Sequence, residues 1–140
     1  MKIITTDKWV YYTADGTTFN RDTAGKWMYY FYDVTEADEY CKLAVNFKVT
    51  ACAKHANAAS GICGFYTEPT DIEAHKRIIR FMLSNNLIRK TSDGKLFDIS
   101  FKYETDNPES PRAKIRLSDF VDLQTGRELA RDDYVQESFL

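Results

Sequence analysis

The sequence predicts an α+β fold, a largely antiparallel sheet with helices packed on one of its faces. Three observations predict it. Several short runs alternate apolar and polar residues with period two, as half-buried strands do. Two longer runs gather their apolar residues into one stripe at 100° per residue, as surface helices do. The runs follow one another as ββαββαββ, and strands with one polar face each belong to antiparallel sheets.

Taken in order, residues 8–13 read as a first strand, ended by the Asp15-Gly16 turn signal. Residues 17–25 are polar and read as a loop. Trp27-Met28-Tyr29-Tyr30-Phe31-Tyr32 is a strand by its aromatic content. Thr35 is placed to cap a helix over 36–46. Its apolar stripe is Ala37, Tyr40, Cys41, Ala44 and Phe47, with Asp38, Glu39 and Lys42 turned outward. The next run, 47–54, puts Phe47, Val49, Ala51 and Ala53 on one face. Lys48, Thr50, Cys52 and Lys54 then lie on the other.

Residues 55–61 carry no alternation and read as a loop, and 62–66 as a short strand. Thr70-Asp71-Ile72-Glu73 has the form of a capping box opening a helix over 71–86. Ile72, Ile79, Met82 and Leu83 form its stripe, with His75 on the same side and Glu73, Arg77 and Arg80 opposite. Glu73 and Arg77 stand at the i,i+4 spacing of an ion pair. After the Asp93-Gly94 turn, residues 96–104 set Phe97, Ile99, Phe101 and Tyr103 against Asp98, Ser100, Lys102 and Glu104. Residues 107–111 read as a loop. Residues 113–117 read as a strand with Ile115 and Leu117 facing in, and Lys114, Arg116 and Ser118 facing out. An acidic tail from about 127 is expected to be weakly ordered.

At 140 residues the chain suits one domain, 1–140. A formal charge of −2 and a pI near 5.7 argue against an indiscriminate nucleic-acid binder. The average hides an asymmetry: residues 76–116 hold ten Lys/Arg and five Asp/Glu, whereas 117–140 hold two and six. Cys41, Cys52 and Cys63 have no zinc-binding spacing and read as free thiols of a reducing compartment. With no signal-like or membrane-spanning apolar run, a cytoplasmic location and no membrane partner are expected.

No pattern compels a reaction, and no catalytic residue, metal ligand set or cofactor is assigned. Ser60-Gly61-Ile62-Cys63-Gly64 has neither the glycine spacing nor the following helix of a phosphate loop. On residue types alone, His55, His75 and Lys54 compose a metal-free phosphodiester-cleaving enzyme working by general acid–base transfer. The polar sheet face says more. Lys48 and Thr50, Ser100 and Lys102, and Lys114 and Arg116 all share the parity that points away from the core. Converging there, they would hold an anion, with Arg116 able to grip phosphate bidentately. Trp9 and Trp27 lie on adjacent strands, and a ring beside a cationic patch stacks on a base.

Gly25-Lys26-Trp27-Met28 opening an aromatic strand, Lys48-Val49-Thr50, and residues 62–67 leading to an Asp71-containing helix start resemble the basophilic-leukaemia-expressed-protein family. The likeness runs from Gly25 to about Tyr103. That family is similar in fold to the cap-binding translation initiation factor, so the resemblance implies a curved sheet with helices on its convex back and ligand on its concave front. The cap-binding factor holds a methylated base between two tryptophans, for which only Trp9 and Trp27 are present here. The resemblance implies a pocket for a nucleotide or other phosphate, with Trp27 and Lys48 the best-matched positions, and does not imply catalysis.

The first functional expectation is therefore a non-catalytic module binding a nucleotide, an RNA end or another phosphorylated ligand through Trp27, Lys48, Lys102, Lys114 and Arg116. The second is a small protein-interaction module or inhibitor of the kind carried by mobile elements, motivated by size and by Asp132, Asp133 and Glu137 near the end. The residues set no oligomeric state.

Overall fold

The structure, a computed structural model, describes residues 1–18, 20–105 and 112–129. The expected loop at 107–111 and the acidic residues Asp132, Asp133 and Glu137 lie outside the described residues. Six strands form one open sheet: β1 (Lys2–Thr5), β2 (Trp9–Thr13), β3 (Gly25–Phe31), β4 (Cys52–Ala56), β5 (Gly61–Thr67) and β6 (Lys102–Tyr103). Their spatial order is β1-β2-β4-β5-β3-β6, and every neighbouring pair is antiparallel. Helices α1 (Val34–Asn46) and α2 (Ile72–Ser84) cover one face.

Register shows which residues share that face. Tyr12 stands opposite Ala53, Ala53 opposite Phe65, and Phe65 opposite Trp27. These residues, with Phe31 and Cys63, are buried against Ala37, Cys41 and Ala44 of α1 and Ile78, Ile79 and Met82 of α2. Both helices therefore lie on the same side of the sheet, which is the predicted α+β arrangement. Among the described residues no helix is long and apolar enough to cross a membrane.

Both caps are displaced from the predicted ones, that of α1 two residues upstream and that of α2 one residue downstream. Asp33, not Thr35, caps α1 by accepting from the Thr35 N–H, and Asp71, not Thr70, caps α2 by accepting from Ala74. At their C-termini both helices close with the same motif. The Val49 N–H returns to Ala44 and Lys48 to Val45, and Leu87 returns to Met82 and Asn86 to Leu83. Lys48 and Asn86 take the left-handed conformation this closure needs, each with φ 58°. Glycine usually fills that position, so the run at 47–51 read as a strand. It is a helix end and turn, and β4 begins only at Cys52.

Two further corrections concern the ends of the chain. Lys2–Thr5 is a strand the sequence reading passed over, giving the order βββαββαβ. The predicted strands at 96–104 and 113–117 shrink to β6 and two isolated bridges, Leu96 with Lys90 and Ser100 with Arg116. Phe101 N–H bonds to Ile115 and Leu117 N–H to Ile99, whereas Lys102 and Tyr103 pair with β3. Switching partners midway prevents a long ladder. From residue 99 the side chains alternate as predicted, with Phe101 buried and Lys102 exposed, whereas Phe97, expected on the inner face, is 42% exposed.

Helix α2 keeps its predicted faces. Ile79 is buried at 1% exposure, whereas Arg80 is exposed and ion-paired with Glu128. Glu73 pairs with Lys76 at 3.9 Å and not with Arg77 as expected. Ile79→Ala is expected to destabilise by at least about 2 kcal/mol through loss of burial and the cavity left behind. Arg80→Ala should stay within about 1 kcal/mol, as surface ion pairs do. Urea midpoints of the two variants check the assignment, and equal losses would refute it.

Candidate functional site

The face without helices carries the charged chemistry. In the register, Trp9 stands opposite Ala56, Tyr11 opposite Lys54, Lys54 opposite Gly64, and Lys26 opposite both Tyr66 and Lys102. Directly paired residues share a face, so Trp9, Tyr11, Lys26, Lys54, Tyr66 and Lys102 all lie on this side. Glu104, just beyond β6, joins them.

The Glu104 carboxylate is the centre of the arrangement. Lys26 Nζ lies 3.3 Å and Lys54 Nζ 3.6 Å from its Oε1, and the Tyr66 hydroxyl donates to its Oε2. The three side chains that form the ion pairs are largely withdrawn from water, at 11%, 6% and 9% exposure for Lys26, Lys54 and Glu104. Aromatic rings wall the cations: Lys54 Nζ sits 3.9 Å from the Trp9 ring centroid and 5.7 Å from that of Tyr11. Lys26 Nζ is 5.5 Å from the Tyr66 ring centroid. A ring face attracts an ammonium group, most strongly where water is excluded.

Gly64 makes this possible. A Cβ at that position would stand 2.9 Å from Lys26 Cδ, so a side chain there would push the Lys26 stem from its place across β5.

Protonation follows from the same contacts. Burial works to raise the Glu104 carboxyl, but the Tyr66 hydroxyl and the two ammonium groups outweigh it and hold the carboxyl below its ordinary value. Burial lowers the Lys54 ammonium, with Glu104 opposing and Lys26 adding to the shift. Burial also raises the Tyr66 hydroxyl, which remains a donor. The group thus holds two cations and one anion, a net of +1, with Arg21 adding to the positive field at Lys54.

A cleft of about 210 Å³ adjoins the cluster, sharing Tyr66 with it and lined further on by Cys52, Thr50, Glu68, Asp71 and Arg77. Burial pushes the Cys52 thiol up to about 12, which keeps it protonated and a poor nucleophile at neutral pH.

The predicted site residues are scattered by comparison. Lys102 alone is on this face of the sheet, exposed and opposite Lys26. Lys48 lies in the closing turn of α1, off the sheet. Lys114 and Arg116 are exposed on the irregular segment before the Leu117–Asp119 turn, where the Arg116 N–H bonds to the Asp119 carboxylate. Trp27 is fully buried on the helix side, its indole N–H donating to His75 Nδ1 at 2.9 Å. It cannot stack on a ligand there.

The histidines are equally committed. His75 is wholly buried and donates its other ring nitrogen to the Pro69 carbonyl at 2.8 Å. His55 lies on β4 rather than in the expected loop, contacting the Tyr12 hydroxyl and the Ala56 carbonyl at 2.9 Å each. Its neighbour Lys54 faces the opposite side of the sheet, so the three residues proposed for phosphodiester cleavage do not converge. Among the described residues no group of His, Cys, Asp and Glu is arranged to hold a metal ion.

Sequence reasoning missed Lys26, Lys54, Glu104 and Tyr66 as a unit, although the parity of Lys54 and of Glu104 was read correctly. Compared with family models, with curated proteins and with solved structures, the chain matches none of them.

Proposed function

We propose that the protein is a non-catalytic binding module for a phosphorylated, nucleotide-like small ligand, seated on the helix-free face of the sheet at Lys26, Lys54 and Tyr66. One observation carries the reading: two nearly buried ammonium groups share a single carboxylate oxygen, leaving excess positive charge between aromatic walls. A buried excess charge is costly unless it is used, and an oxyanion met in a partly desolvated site is bound far more strongly than at the surface. Trp9 and Tyr11 give the less polar part of such a ligand a ring to lie against.

The expected result is thermal stabilisation by inorganic phosphate and by adenosine 5′-monophosphate at constant ionic strength. A ligand at 100 times its Kd adds about 2.7 kcal/mol. Lys54→Met, which leaves Glu104 its Lys26 and Tyr66 partners, should remove most of that effect. Equal stabilisation of both proteins, or none in either, would sink the proposal.

A second reading has its own observation. β1 is the outermost strand, and Ile3 and Ile4 on it are 47% and 42% exposed. Such an edge offers unpaired backbone groups to another protein. It gains ground if no phosphate ligand stabilises the chain.

A further inference from the structure

Glu104 occupies the place an anionic ligand would take. Its three donors, Lys26, Lys54 and Tyr66, belong to β3, β4 and β5, which are neighbours in the middle of the sheet and fixed by its ladders. Glu104 itself follows the two-residue β6, which is held to β3 at two positions. Its backbone is tied by the Glu104 N–H to the Ala24 carbonyl at 3.0 Å, which leaves the side chain as the part that would have to turn for the cradle to open.

Resting on the binding reading above, we propose that Glu104 is an internal stand-in for the ligand's charged group, and that a phosphate monoester enters the Lys26–Lys54–Tyr66 cradle by displacing it.

Charge balance selects the ligand class. With Glu104 in place the two ammonium groups and one carboxylate sum to +1. A second anion entering beside Glu104 would meet a like charge at close range where screening is weak. Once Glu104 leaves, two ammonium groups face the incoming group alone, and a phosphate dianion neutralises them completely. A free monocarboxylate offers only what Glu104 already offers, without the advantage of being attached, so it does not compete. The Tyr66 hydroxyl, now donating to Glu104 Oε2, donates equally well to a phosphoryl oxygen. Lys102 shares the face, is exposed and stands two residues before Glu104, which gives the displaced carboxylate a cation to approach.

The test compares the unaltered protein with Glu104→Gln and Glu104→Ala, titrated at pH 8 and fixed ionic strength with inorganic phosphate, adenosine 5′-monophosphate and acetate. If Glu104 fills the cradle nine-tenths of the time or more, removing its charge should tighten phosphate binding by about tenfold or more. Acetate should bind the variants and not the unaltered protein, replacing the missing carboxylate. Tighter adenosine monophosphate than phosphate binding in every protein would add a ring contact to the same reading. Equal phosphate affinity with and without Glu104 would overturn the displacement and leave the binding reading standing. No anion binding in any of the three would overturn both. Should either variant fail to fold alone, near-UV circular dichroism with added phosphate decides: recovery of the native signal supports the proposal, and no recovery overturns it.

Discussion

Trp27→Ala is expected to destabilise the protein by about 3–5 kcal/mol, as truncating a fully buried large aromatic does. The ring is central to the helix side of the sheet. It meets His75 edge-on at 5.8 Å, Phe120 edge-on at 6.1 Å and Phe101 at 5.6 Å between centroids. Its loss also leaves His75 Nδ1 buried without the indole donor. Trp27→Phe separates these effects, since it keeps much of the apolar volume and removes only the N–H.

The pH dependence supplies an independent readout. His75 accepts from Trp27 through Nδ1 and donates to Pro69 through Nε2, so it is held as one neutral tautomer. Burial lowers its pKa from the ordinary 6.5, against the Pro69 carbonyl and the Asp71 carboxylate, which favour the charged ring. The unfolded chain therefore takes up a proton near pH 6.5 that the folded protein resists. Stability from this group is complete above that pH and is lost as pH falls below it. Urea midpoints measured at pH 7.5 and 5.5 should drop for the unaltered protein. The drop should be smaller in Trp27→Phe, where Nδ1 no longer has an N–H to receive. Identical drops would mean the indole does not hold the tautomer.

How the sequence did and did not reveal this arrangement follows from what each residue reports. The amphipathic stripe of α2 and the alternation around Cys52–Lys54 and Phe101–Glu104 are set by side-chain periodicity, and both periodicities survive in the fold. The left-handed closure at Lys48 is a backbone event, and a lysine there gives no warning of it. Reading on through that turn as a strand made Lys48 look like a neighbour of Lys54 on one face. Trp27 was drawn to the ligand side by resemblance, whereas its parity with Tyr29 and Phe31 puts it among the helices. The meeting of Lys26 with Glu104 joins residues 78 positions apart. It depends on β6 pairing at the outer edge of β3, a strand order that alternation alone does not set.

That long-range meeting predicts an asymmetry that no surface ion pair would show. Glu104→Ala is expected to cost about 3–5 kcal/mol, because it leaves two largely buried ammonium groups facing one another without a counter-charge. Lys54→Met should cost less than about 1.5 kcal/mol. Glu104 then keeps Lys26 and Tyr66, and the methionine chain lies against the Trp9 and Tyr11 rings that now flank Lys54. The sign of the pH effect distinguishes the charged centre from simple packing. Glu104 has a folded pKa below the ordinary 4.5, so the folded protein holds its proton less tightly than the unfolded chain. Its contribution is full above that value and disappears as pH falls through the depressed folded one. Guanidinium-free urea titrations of the unaltered protein and Glu104→Gln between pH 6 and 3.5 should therefore converge toward the acid end, since protonation does to the carboxylate what the amide does permanently. If the two curves instead stay parallel over that range, Glu104 is stabilising by its shape and not by its charge. If Lys54→Met proves as damaging as Glu104→Ala, the two lysines are not sharing one counter-ion, and the excess charge on which ligand binding depends is absent.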